Sequence, residues 1–188
     1  MSSSPSKANC STFIPGRAKS LRSLSTSGVM VPRSSATRVP SPEVEELRQA
    51  FGLPGMKVLQ FAFDGDPDNS YLPENHEPLS VVYTGTHDND TTVGWWESQD
   101  TEVRANARKH TLDPDEPMPW ALIRLAMDST ARLAVVPAQD LLSLGSETRM
   151  NTPGSDFGNW SWRADPGVFD AALALRVRAL AEEHHRVP

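Results

Sequence analysis

The stretch Val81-Val82-Tyr83-Thr84-Gly85-Thr86-His87-Asp88-Asn89-Asp90-Thr91-Thr92 constrains the fold more than any other part of the chain. A short β-branched and aromatic run, Val81 to Thr84, reads as a buried strand. It stops at Gly85 and is followed at once by polar and ionisable side chains. Asp90-Thr91-Thr92 then offers a cap for a helix whose next turn carries Trp95 and Trp96. Strand, polar tip and capped helix make the βα unit in which α/β barrels place their chemistry, at the carboxyl ends of the strands.

The rest of the chain repeats this alternation. Ser41 caps a helix with Pro42 at its first position and Gly52 past its end. Val44, Leu47 and Phe51 share one face of it, which is expected to meet a core. Met56 to Phe63 predicts a strand apolar on both faces, as in a parallel sheet covered by helices on either side. Asp64 to Ser70 is a turn rich in Asp and Pro. Its alternating acids imitate a calcium loop, but Asn69 and Asn75 stand where Gly and Glu are needed. Helical patterning runs from Thr91 to Ser98, through Val103 to Lys109, and from Trp120 to Met127, where Arg124 interrupts an apolar sequence. Leu133 to Val136 is a third strand, and Asp140 to Leu144 a helical turn ending at Gly145. Arg149 to Arg163 is too polar and broken to be an element. Phe169, Ala172, Leu173, Val177 and Leu180 mark a last amphipathic helix. Three strands, each followed by helical sequence, give an α/β fold.

Charge divides the chain. Residues 1–40 hold six basic residues and no acid, so 12 basic residues face all 24 acidic ones beyond that point. This Ser- and Arg-rich segment lacks sustained periodicity and is expected to be disordered, with a domain covering residues 41–188. Two readings of it stand: an organellar transit peptide, or sequence from a misread frame, a wrong gene-model start or a truncated gene. The net charge of −6 gives no electrostatic support to nucleic-acid binding. No apolar run approaches the roughly 18 residues of a membrane helix. Cys10 alone can build neither a disulfide nor a cysteine zinc site.

Three ordered blocks carry a family resemblance. TGTHDND followed by TTVGWW (residues 84–96) resembles the seventh-strand motif of the 4-α-glucanotransferases, also called amylomaltases or disproportionating enzymes. Phe51 to Phe63 is similar to their preceding strand. Arg149-Met150-Asn151-Thr152-Pro153-Gly154, with Gly158 to Arg163, is similar to their C-terminal block. The resemblance implies the C-terminal portion of a TIM (β/α)8 barrel. A whole barrel needs about 250 residues, so an incomplete barrel with an open edge is expected.

It also implies transfer of α-1,4-glucan segments between maltodextrins by a retaining mechanism, without a cofactor or metal. That chemistry uses a nucleophile and an acid/base carboxyl about 5–5.5 Å apart. A third carboxylate holds sugar hydroxyls and favours the transition state; it maps onto Asp88, with His87 as a neighbouring donor. Phe63, Asp64, Asn89, Arg149 and Asn151 are expected to border substrate. The nucleophilic aspartate finds no match. The Ala-Glu-Asp-Leu-Gly-like strand that supplies the acid/base is replaced by Pro32 to Pro40. Glu43, Glu45 and Glu46 are expected to be solvated. The chain alone is therefore expected to be inactive: a truncated fragment or a maltodextrin-binding remnant. It is expected in the cytoplasm, or in a plastid if the first forty residues are a transit peptide. A metal phosphohydrolase also uses a His-Asp pair, but on helices, whereas this pair follows a strand. Trp95 and Trp96 are expected to pack. Trp160 and Trp162 alternate, which puts one against the core and leaves two readings for the other: a face towards the groove, or core packing, which is the expected one.

Overall fold

The computed structural model describes residues 41–187, and the expectations for residues 1–40 lie outside the described residues. Strands β1 (Gly55–Val58), β2 (Ser80–Tyr83) and β3 (Leu133–Val135) form one parallel sheet in the order β1-β2-β3. Val58 lies opposite Tyr83, and Tyr83 opposite Val135, so the three strands end at one level. The strand before the polar tip is thus central, with Ser80, Val81 and Val82 buried. Helix α1 (Pro42–Ala50) precedes β1. The crossover after β2 is built from α2 (Thr92–Ser98), α3 (Thr101–His110) and α4 (Met118–Asp128); α5 (Ala138–Leu141) and α6 (Ala171–Glu183) follow β3. Thr91, Asp100 and Asp170 start α2, α3 and α6 by accepting from Gly94 N, Val103 N and Leu173 N. No helix among the described residues is long and apolar enough to cross a membrane.

Helix α4 is the centre of the packing. Leu122 and Ile123 are both fully buried, but in different places. Leu122 joins Val82 of the sheet, Phe63 and Trp95, whereas Ile123 joins Trp120 and Leu180 of α6. Arg124, the polar interruption, reaches Glu116 at 3.0 Å and Glu183 at 2.7 Å. Each buried Leu or Ile is worth about 1.5–3 kcal/mol, against about 1 kcal/mol or less for a partly exposed ion pair. The apolar faces therefore hold α4, and Arg124 tolerates that position. The last carbonyls of the helix need donors. Arg186 supplies them, giving its guanidinium to Met127 O at 2.5 Å, Ala131 O at 3.0 Å, Ala126 O at 3.3 Å and Ser129 O.

Several expectations are corrected. Val44, Leu47 and Phe51 are 56%, 58% and 72% exposed. Helix α1 stands beside edge strand β1, and among the described residues no layer lies over that face. The helix is held at its polar end, where Arg48 donates to Leu53 O at 2.8 Å. The strand expected from Met56 to Phe63 ends at Val58 and tightens into a 3-10 turn, Leu59–Phe61. Its partner leaves the ladder after Tyr83, and Phe61 is 51% exposed. Only 3-10 turns, and no α-helix, lie between β1 and β2. Three amides of residues 64–71 go to side chains: Asp64 accepts from Asp66 N, Asp66 from Asp68 N, and Asn69 from Tyr71 N. In α6, Phe169 lies before the first turn and is 57% exposed.

His76 ties this β1–β2 connection to the end of α4. Its Nε2–H donates to Tyr71 O at 2.9 Å, and its Nδ1 accepts the Ser129 hydroxyl at 2.6 Å, which itself accepts Ala131 N. That pattern fits the neutral ring, and burial pulls His76 below the ordinary imidazole value. The unfolded chain, at about 6.5, then binds more protons. Stability due to this ring is complete above about pH 6.5 and is lost as pH falls below it towards the folded value. Urea unfolding from pH 8 down to pH 5 should show a larger loss of stability in the wild type than in His76→Gln. Parallel pH profiles would contradict this assignment.

Candidate active site

The polar tip is a closed turn at the exit of β2. Asn89 N donates to Thr86 O at 3.1 Å, while Asn89 Oδ1 accepts Thr86 N at 3.0 Å and Thr86 Oγ1 at 2.7 Å. These bonds push His87 and Asp88 outward, with side chains 55% and 52% exposed. Their Nε2 and Oδ1 atoms are 3.3 Å apart.

A second segment, far away in sequence, completes the site. Asn151 N donates to His87 O at 3.1 Å, and Asn151 Nδ2 to Asp88 Oδ1 at 2.6 Å. Arg149 Nη2 donates to Asp88 O at 2.7 Å, and its Nε to Asn151 O at 2.9 Å. Trp160, half exposed, lies with its ring 5.2 Å from that of His87. One oxygen of Asp88 is thus fixed, while Oδ2 accepts no hydrogen bond from another described residue. The arrangement offers a free carboxylate oxygen, an imidazole and an aromatic ring side by side: a neutral, hydroxyl-rich ligand would suit all three.

The other sequence-predicted residues are placed differently. Arg149 and Asn151 join His87 and Asp88 as their braces. Asn89 spends its carbonyl oxygen on the turn. Phe63 is 2% exposed and packs near Trp95 and His110, each about 5.9 Å between ring centres. Asp64 binds its own loop, at Asp66 N and Asn69 Nδ2. No hydrogen bond joins Phe63 or Asp64 to the His87-Asp88 turn. Trp95 is buried, and Trp96 lies under the guanidinium groups of Arg104 and Arg108.

Sequence reasoning missed the support beneath the turn. Asp140 is fully buried, accepting Thr84 Oγ1 at 2.5 Å, Thr92 N at 2.7 Å and Thr92 Oγ1 at 2.8 Å. One carboxylate from α5 thereby joins the end of β2 to the start of α2, on both sides of the tip. Gln60 Nε2 donates to Asp90 O at 2.9 Å, and Ser146 Oγ to Asp90 Oδ2 at 2.8 Å. Two glycines make room. A Cβ on Gly94 would sit 2.0 Å from Ser146 Oγ, and one on Gly85 2.7 Å from Gln60 Nε2. The available signal was the acid in Pro137-Ala138-Gln139-Asp140, directly after a strand.

Burial raises the Asp140 carboxyl above its usual range, against the three hydrogen bonds that lower it. The folded state then holds the proton more tightly than the unfolded one. This group's contribution to stability therefore falls as pH rises from about 4 to the raised folded value, and is level above it. At neutral pH, Asp140→Ala strands three donors in the interior and should cost about 2–4 kcal/mol by urea unfolding. Asp140→Asn should keep most of that stability and flatten the acid limb. An Ala variant as stable as the wild type would refute the assignment.

The comparisons with known proteins agree with one another. A sequence model of glycoside hydrolase family 77, described as 4-alpha-glucanotransferase, matches residues 39–168. The 4-alpha-glucanotransferase of Thermus thermophilus is 51% identical over 155 residues, which are 78% of this chain and 31% of that protein. The chloroplastic/amyloplastic 4-alpha-glucanotransferase of Arabidopsis thaliana is 52% identical over 122 residues, 64% of this chain and 21% of that one. Among solved structures, the amylomaltase from Streptococcus agalactiae in complex with acarbose matches with a TM-score of 0.75 and 28% identity, over 78% of this chain and 30% of that one. The chain spans less than a third of the length of these relatives. Since the family match takes in most of the sequence, including the His87-Asp88 turn and the Arg149–Asn151 brace, this chain belongs to glycoside hydrolase family 77, the 4-alpha-glucanotransferases.

Proposed function

We propose that this chain carries the sugar-holding part of a 4-α-glucanotransferase site, and that the intact enzyme transfers α-1,4-glucan segments between maltodextrins with retention. The observation that carries the reading is the half-engaged Asp88 carboxylate, braced by Asn151 and standing beside His87 at the exit of a central parallel strand. Asp88 Oδ2 is free to accept hydroxyls of the sugar whose bond is exchanged. As positive charge grows on that sugar, a fixed carboxylate is attracted more strongly to the transition state than to the ground state. His87 donates to the same ring.

The three strands are read as consecutive members of a (β/α)8 barrel, open at β1 and β3. Retaining transfer still needs a nucleophile and an acid/base, and the sequence offers no matched candidate for either. The chain alone is read as inactive, a fragment that retains the means to hold a maltodextrin. The localisation that goes with this reading is cytoplasmic, or plastidic if residues 1–40 are a transit peptide; the plant relatives are named chloroplastic/amyloplastic.

Two experiments test the proposal. The purified chain incubated with maltotriose should yield neither glucose nor longer dextrins by chromatography; steady redistribution of chain lengths would overturn the inactive reading. A chimera carrying residues 41–188 in place of the matching segment of the Thermus thermophilus relative should disproportionate maltotriose. In it, Asp88→Asn should lower kcat by about 10²–10³-fold. A chimera in which that change is silent removes Asp88 from the chemistry.

A further inference from the structure

Trp160 is out of place for an ordinary tryptophan. It is 52% exposed, and its φ is +60°, in the left-handed region. Bulky residues rarely adopt that conformation, and it persists only where the surroundings enforce it. Here they do. Trp160 N donates to Met150 O at 2.7 Å, and Trp160 O accepts from Arg163 Nη1 at 2.9 Å. The preceding loop is closed by Asn159, which accepts Thr152 N at 2.9 Å and donates to Ser155 O at 2.8 Å. Met150 lies between the two residues that brace Asp88. The hydrogen bond that sets the Trp160 backbone is therefore continuous with the segment that sets the carboxylate.

The result is a strained loop presenting an open indole beside His87, the two ring planes inclined by 36°. Packing does not account for the cost, because half the residue is exposed to water and the ring is in neither core cluster. The chemistry of the ring does suggest a use. The face of an indole is apolar and electron-rich. A glucose ring presents C–H groups on its faces and hydroxyls around its rim. A sugar lying on Trp160 would have the His87 imidazole, itself next to Asp88, within the same patch of surface.

We propose that Trp160 is a stacking platform for a glucosyl ring of a maltodextrin, and that its left-handed backbone is retained for that purpose; this rests on the glucan-holding reading of Asp88. Trp160 thereby becomes a binding residue of the same site.

The test uses the 188-residue chain and maltotriose, with binding followed by calorimetry and saturation-transfer NMR. The wild type should bind, Trp160→Ala should bind at least tenfold more weakly, and Trp160→Phe, which keeps a ring, within about threefold of the wild type. Asp88→Asn should weaken binding independently. Trp160→Gly is the decisive variant. Glycine accepts a positive φ without strain, so its urea midpoint should rise while its affinity falls. A structural tryptophan would lose stability and affinity together, and that result overturns the proposal. Unchanged affinity in Trp160→Ala with a loss in Asp88→Asn also overturns it but leaves the glucan reading standing. No binding by the wild type removes both.

Discussion

A buried carboxylate holds the working end of this molecule together. Among the described residues Asp140 has no salt-bridge partner, and its carboxylate is met by two hydroxyls and one amide. Such a group is costly to bury and costly to strip of its partners. That asymmetry is useful at a strand exit. Thr84 and Thr92 flank the His87-Asp88 turn; Thr84 is held to Oδ2 of Asp140 and Thr92 to both carboxylate oxygens. The turn cannot open without exposing an unsatisfied charge in the interior. The exposed tip is therefore flexible only within limits set from below.

From above, the tip is fixed by the segment around Arg149 and Asn151. Backbone atoms of both His87 and Asp88 receive donors from it. The one carboxylate oxygen it engages is matched by one left open. A site assembled this way needs two passes of the chain, one after β2 and one after β3, and the sheet register brings their exits to the same level.

The sequence made the parallel sheet, its three strands and the βα character of the tip readable, because those follow from short-range patterning. The membership of Arg149 and Asn151 in the site was readable only through family resemblance; nothing in their spacing places them over Asp88. Two groups of residues have surroundings that patterning does not give. Val44, Leu47 and Phe51 mark an apolar face correctly, but periodicity cannot say whether anything lies across from it. Phe63 and Asp64 are expected near substrate through the family resemblance alone. The 3-10 turn at Leu59–Phe61 redirects the chain, sending Phe63 into the core and Asp64 into its own loop. Gln60 is the residue that reaches the tip instead. Asp140 went unread because an isolated acid in a helical turn is normally a solvated one, and only the fold shows what surrounds it.

The guanidinium that closes α4 has a kinetic meaning. Arg186 meets the carbonyls of Ala126 and Met127 across about sixty positions of sequence. Loop closure on that scale comes late in folding. Until the chain beyond α6 has returned, the most buried helix of the molecule ends in bare carbonyls. Its apolar face, from Met118 to Ala126, can condense on Val82 and Trp95 early, while its last carbonyls wait for their donor. The closing of the helix end should thus lag behind the burial of its face, and that late step should report on a residue far from the site.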